Sequence, residues 1–483
     1  MVNGLYQADY WLCRFVIQRG LGLMYFIAYL VAINQFRPLL GKEGLLPVPR
    51  FLERVSFKRA PSIFHWHYSD QFFAILSWIG LALSVIATLG LSDAGPLWLS
   101  MVVWFLLWGI YLSIVNVGQL FYGYGWESLL LEAGFYAIFL GPLHYATPVL
   151  MIFVLRWLVF RVEFGAGLIK MRGDRCWREL TCLNYHHETQ PMPNPLSRFF
   201  HLLPEPLHKV ETFFNHMVQL GAVWLLFFPQ PIATIGALFV ILSQAYLVVS
   251  GNYAWLNWMT LILAFSGISD HYLQMILPMA IPGHLASPLI FQIIVMALVL
   301  MVILMSINPV KNMLSRHQRM NASFNPLHLV NTYGAFGSVT RKRYEIVLEG
   351  TTAKELTENT KWKEYEFKGK PGNPKRVPAQ FAPYHLRLDW QIWFAAMSSI
   401  HNNPWLLRFV LRLLEGHRPA SKLLNHNPFN DKPPRYIRAK LYRYEYTSLK
   451  ESRETGQWWK RSFERMYFRP QSLEDLQSIR FQK

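Results

Sequence analysis

Apolar stretches long enough to cross a bilayer return repeatedly through the first 309 residues, and this repetition constrains the fold more than any motif does. A helix needs about 20 mostly apolar residues to span a hydrocarbon core. Candidates fall at roughly 14–36, 71–90, 96–115, 128–141, 146–163, 215–229, 231–250, 253–268 and 287–307. Apolar residues make up 52% of the chain and aromatics 16%, more than a soluble domain carries, so the chain reads as a multi-pass membrane protein. The first run, "CRFVIQRGLGLMYFIAYLVAI", exceeds the core of a secretory signal and precedes no small-x-small cleavage site, so it reads as a retained anchor.

The formal charge of +18 is unevenly spread. Residues 310–483 hold roughly twice as many basic as acidic groups, while the apolar half is near balance. A basic domain tethered to a bilayer meets anionic lipid headgroups or an acidic partner protein more readily than nucleic acid. Within the apolar half, basic residues gather in the connections Arg37 to Asp70 and Arg161 to Glu211. With four spans between these loops and four more before the tail, all three segments share one side, and the positive-inside rule would make that side cytoplasmic.

After residue 309 the pattern changes. "RKRYEIVLEG" (341–350), "KWKEYEFKGK" (361–370) and "RYIRAKLYRYEYTS" (435–448) alternate as strands do, and Trp390, Trp393, Phe394 and Met397 fall at helical spacing. The expected architecture is a polytopic all-α membrane bundle over 1–309, with a polar loop at about 161–212, followed by a soluble, basic α+β (β-rich) domain over 310–483.

The charges inside the apolar half need partners. Arg156, Glu163 and Lys170 recur every seven residues and share a helix face if the helix runs through "FGAGLIK". Glu132 needs a cation, with Arg156 or Arg161 the obvious choices. Side chains from Arg161 to Lys170 either snorkel at the interface or form a buried ion pair. Cys176 and Cys182 are not spaced as a C-x-x-C redox pair or a zinc site; they form a local disulfide on an oxidising side of the membrane or stay free thiols in the cytoplasm. His186, His187, Glu188, His201 and His208 lack the i, i+4 repeat of a metal helix, and "QPMPNP" breaks any helix that would present them together. No metal and no cofactor is therefore expected. "NTYGAFGS" reads as a turn, and the glycines of "YGYGWESLLLEAGF" allow close helix approach.

Six blocks, "GQLFYGYGWESLLLEAGF", "FRVEFGAGLIKMRGDRCWRELTCLNYHHETQPMPNP", "VSGNYAWLNWMT", "VNTYGAFGSVT", "LRLDWQIWFAAM" and "HNPFNDKPPRYIRAKLYRYEYT", running from about residue 118 to 448, resemble the lipase maturation factor family. The resemblance implies a multi-pass protein of the endoplasmic reticulum membrane that helps dimeric lipases such as lipoprotein lipase reach an active fold, acting as an assisting factor with its C-terminal domain in the lumen. It moves the basic segments to the lumenal side, against the charge rule. There Cys176 and Cys182 would pair, and "NAS" at Asn321 would be a glycosylation sequon in a eukaryote. The chain starts close to its first span, without the cytosolic extension of animal members, which also suits a bacterial homologue in the plasma membrane.

Two functions follow. One is a chaperone-like maturation factor of the secretory pathway, its partners membrane lipid and a secreted client protein, with Trp458 and Trp459 as expected exposed contacts. The other is a membrane enzyme modifying a lipid or secreted protein, with Glu163, Lys170 or residues 186–188 as acid and base in a wet cavity.

Overall fold

The computed structural model describes residues 8–283, 285–429 and 432–478. Among them, the N-terminal region is built on the helices α1 (Trp11–Leu40), α2 (Asp70–Leu89), α3 (Leu97–Val117), α4 (Gly125–Ala137), α5 (Val149–Arg172), α6 (Glu205–His216, prolonged to Phe227 by irregular turns), α7 (Ile232–Ser250), α8 (Leu256–Ala264) and α9 (Leu289–Met305). Five helices, α1, α2, α3, α7 and the run Leu289–Leu314, are long and apolar enough to cross a membrane. α5 has the length but carries charges, whereas α4 and α8 are short helices inside the bundle.

Local chemistry sets several boundaries. Ser69 caps α2, its Oγ accepting from Phe72 N at 3.0 Å, and Gly90 ends that helix at φ +79°, a backbone conformation glycine adopts without strain. α1 has no side-chain cap of its own. Asp270, distant in sequence, supplies it by accepting from Trp11 N at 2.7 Å and Leu12 N at 2.9 Å. Arg14 closes the same end of the bundle on the carbonyls of Leu140 and Tyr145.

The opposite end carries the C-terminal domain. Its main sheet has the order β2-β1-β5-β6, all antiparallel, built from β1 (Arg343–Thr351), β2 (Lys363–Glu364), β5 (Tyr436–Tyr446) and β6 (Trp459–Ser472). β3 (Glu366–Phe367) and β4 (Leu424–His426) form a second, small sheet. The alternating run 361–370 thus yields two short strands, while the tryptophan-rich segment forms helix α10 (Arg387–Ala396). β5 turns Ile437, Ala439 and Leu441 inward as its alternation requires; on the other face Tyr446 is buried under the polar loop, and Tyr444 is buried against Trp459 with its hydroxyl donating to Gly372 O at 2.7 Å.

Both basic loops meet this domain. Arg408 Nη1 donates to Leu45 O at 3.1 Å, and Arg343 Nη1 donates to Glu188 O at 2.8 Å. The three basic segments therefore sit at one end of the bundle, as an even number of passages in each interval demands.

Candidate functional site

The junction between bundle and C-terminal domain holds a cavity of about 340 Å³, walled by Tyr124, Trp126, Glu163, Lys170, Trp390 and Trp393 among others. It is built from elements far apart in sequence. α5 contributes its charged face, α7 and α8 contribute amides, and α10 closes the top with tryptophans.

Glu132 marks the structural wall beside it. Of the two arginines expected, Arg161 takes it: the two side chains form a fully buried ion pair, with Arg161 Nη1 also 3.3 Å from Glu132 Oε2. The carboxylate further accepts from Tyr136 Oη at 2.7 Å, Tyr333 Oη at 2.8 Å, and Asn331 N and Nδ2 at 2.9 Å each. Arg156 instead donates to the carbonyls of Ser266 at 2.8 Å and Leu226 at 3.0 Å. A buried charge is tolerable when every lone pair is met, and here it is.

Glu163 and Lys170 are held differently. Glu163 Oε1 accepts from the Gln244 amide, and its Oε2 has no hydrogen-bond partner among the described residues. Lys170 Nζ donates to Asn215 Oδ1 at 2.7 Å and Gln219 Oε1 at 3.1 Å, with the Trp177 ring at 4.7 Å. Arg161, Glu163 and Lys170 are all buried, so the snorkelling alternative is not what the fold adopts: α5 runs on to Arg172 and lies against other protein segments.

One of these segments is the strap 331–338, expected as a simple turn. It lies along α5 with no regular secondary structure over most of its length. A Cβ on Gly165 would stand 2.4 Å from Tyr333 O, and one on Gly173 2.2 Å from Gly337 O. Only hydrogen at these two positions lets backbone meet backbone. Asp174 N donates to Gly337 O at 2.8 Å and Trp177 Nε1 to Phe336 O at 2.7 Å, which fixes the strap's far half.

Cys176 and Cys182 are joined as a disulfide, closing the turn that packs on Val339. Asn321 is exposed at the cavity rim and accepts from Gly334 N at 3.3 Å. Trp458 and Trp459 do not form the exposed pair expected of them. Trp459 is fully buried, stacked on Tyr446 at 4.0 Å between ring centroids; Trp458 is half-buried beneath Arg198, whose guanidinium lies 4.5 Å from its ring. The polar loop covers Trp458 through Arg198 and Phe199, while Trp459 is enclosed by Tyr444, Tyr446 and Arg343 of its own domain.

Residue patterns missed the second wall. Glu127 Oε1 and Arg387 Nη1 meet at 2.7 Å with both side chains fully buried, and Tyr111 Oη donates to the same carboxylate. Arg387 N is held by Gln35 Oε1 at 3.0 Å, so one residue of α10 ties three bundle helices together. Next to it His385 is enclosed by Tyr124, Trp126, Trp255 and Trp390. Burial pushes its imidazole down to about 4, outweighing Glu127 at 3.9 Å. Farther into the domain, Arg343 at 2.6 Å and Lys370 at 2.9 Å share the buried carboxylate of Glu345; burial pushes Lys370 down to about 8 although Glu345 opposes it. The signal for the Glu127–Arg387 pair was present as a charge in each of the blocks "YGYGWESLLLEAGF" and "LRLDWQIWF", but nothing in sequence joins the two.

Residues 12–275 match the lipase maturation factor transmembrane domain and residues 329–469 the lipase maturation factor C-terminal domain. The chain belongs to the lipase maturation factor family. Over 98% of its length it is 39% identical to lipase maturation factor 1 of Mus musculus, covering 89% of that protein, and equally to that of Homo sapiens, covering 90%. Lipase maturation factor 2 of Homo sapiens is 28% identical over 96% of the chain. No solved structure matches it. The family match and the apolar helices together make it a multi-pass membrane protein.

Proposed function

We propose that this protein is a chaperone-like membrane factor of the secretory pathway that holds a secreted client, a dimeric lipase such as lipoprotein lipase, until it reaches its active fold. The observation that carries this reading is the 39% identity sustained over 98% of the chain to a protein named lipase maturation factor 1. Its membrane is that of the endoplasmic reticulum in a eukaryotic host and the plasma membrane in a bacterial one. The Cys176–Cys182 disulfide favours an oxidising side for the polar loop, and the contacts of that loop with β1 bring the C-terminal domain to the same side.

The client surface in this reading is β6, the outer strand of the main sheet, where Ser462 to Arg465 are exposed and Phe463 stands clear of the core. An outer strand offers unpaired backbone groups to an extended segment of unassembled client. Release then follows from the client's lower affinity once folded. Expressing the chain with lipoprotein lipase in cells lacking their own maturation factor tests this: secreted lipase activity should be restored. If the chain accumulates in the membrane and secreted activity stays at the empty-vector level, the reading fails.

A second reading, an enzyme of the same cavity, draws on the unpartnered Glu163 Oε2 beside Lys170. Glu163→Gln and Lys170→Met separate the two. An acid–base enzyme loses its client effect at normal expression, whereas a holding factor keeps it.

A further inference from the structure

The geometry points to a divalent transition-metal site, zinc being its natural occupant, formed by His187, His208 and Glu211. One ligand atom from each comes together within a mutual distance of 4.8 Å. Helical spacing gives no hint of it, because the site is not on one helix. His187 lies on the short helix Leu183–Thr189, and His208 and Glu211 lie one turn apart on α6. The proline-rich turn that separates these helices folds one back on the other instead of dispersing their histidines.

The donor set and its surroundings suit a metal. Two imidazoles and a carboxylate are the set of a zinc centre that keeps one coordination position open. Two atoms bound about 2.05 Å from a tetrahedral ion sit about 3.3 Å apart; His208 Nδ1 and Glu211 Oε2 are 3.3 Å apart. His187 and His208 are buried and their rings lie 5.8 Å apart at 33°, which sets the two imidazoles beside each other. His187 Nδ1 is buried without a partner among the described residues, while its Nε2 lies 3.4 Å from Tyr246 Oη. A buried ring nitrogen without a protein partner is a donor open to a ligand.

Glu211 and Tyr246 also line a second cavity of about 280 Å³, separate from the junction cavity except where Lys170, Leu247 and Phe336 border both. The open position would face that space, where water or an oxygen of a small ligand completes the shell. Phe200, 5.6 Å from the His187 ring, closes another side. An ion here would clamp the polar loop to α6 and so stiffen the platform on which the C-terminal domain rests.

The test uses full-length protein, purified in detergent without a histidine tag or chelator, dialysed against micromolar zinc and then washed. Elemental analysis should find about one zinc per chain, and added zinc should raise the melting temperature. His208→Ala should abolish both. Glu211→Gln, which keeps shape at a half-buried position, should weaken zinc binding by about tenfold or more and leave the zinc-free melting temperature unchanged. Wild-type protein that holds no stoichiometric zinc after dialysis would overturn the proposal, as would zinc held equally well by a folded Glu211→Gln protein.

Discussion

Glu132 and Glu163 are both buried carboxylates, each packed against helix α5 or carried on it, and the fold treats them in opposite ways. Glu132 has an arginine, two tyrosines and an asparagine on its oxygens. Glu163 has one amide and an oxygen left over, at the wall of a cavity. The first arrangement locks the strap to the bundle. The second keeps an ionisable group available where two domains meet. Buried charge alone does not mark a site; incomplete satisfaction beside open volume does.

Breaking the first arrangement should do the most damage. Arg161→Ala leaves Glu132 charged without its cation, which costs about 3–5 kcal/mol by the behaviour of broken buried pairs. The protein should be recovered in low yield, with the strap open to proteolysis, as limited digestion would show. Arg387→Ala should act in the same way at the Glu127 wall, freeing α10.

The junction should also answer to acid. The unfolded chain takes up a proton on His385 near its ordinary value of 6.5, and the folded chain does so only near 4. The stability this neutral ring contributes is complete above pH 6.5 and is lost as pH falls to 4, an effect of up to about 3 kcal/mol. Melting temperatures across that range should decline, and His385→Phe, apolar among the same four aromatic rings, should flatten the decline.

Smaller still is the disulfide. It joins residues six positions apart, for which chain entropy gives about 2 kcal/mol. Cys176→Ser with Cys182→Ser should lower the melting temperature by a few degrees and loosen the contact between the polar loop and Val339, readable by hydrogen exchange at residues 336–341. The least disturbed variant should be Glu163→Gln. It keeps the Gln244 contact and removes a buried carboxylate that forms no direct ion pair with Lys170, whose Nζ is held by Asn215 and Gln219, so stability should stay within about 1 kcal/mol of wild type. A large loss there would mean that Glu163 is as structural as Glu132.

Much of this was legible in advance, for identifiable reasons. Hydropathy marks the apolar stretches because lipid and core both demand apolar side chains. Of the nine stretches expected to span, however, only five form helices long and apolar enough to cross a membrane, because hydropathy does not separate a spanning helix from a short one buried in the bundle. Parity still gathers the basic segments at one end. The strands of the C-terminal domain follow from alternation. Glu132 announced its need for a cation, but α5 offered two arginines that sequence could not choose between, and only the fold turns Arg161 toward it and Arg156 toward carbonyls. Glu127 with Arg387, and His187 with Glu211, stayed hidden because their proximity comes from chain folding over long separations that no local period encodes. Trp459 misled for a related reason: an aromatic near the C-terminal end of a basic domain looks exposed until the neighbouring strands are seen to enclose it with Tyr444, Tyr446 and Arg343.

The account rests most heavily on the sidedness of the three basic segments. Single cysteines at Lys58, Leu202 and Glu358, all exposed, and at Ala94 on the opposite end, in a chain with Cys176 and Cys182 replaced by serine, can be labelled with a membrane-impermeant thiol reagent in sealed vesicles of known orientation. The first three should label together from the lumenal or periplasmic face and Ala94→Cys only from the cytoplasmic face. Labelling of Glu358→Cys from the cytoplasmic face would take the C-terminal domain away from any secreted client and contradict the account.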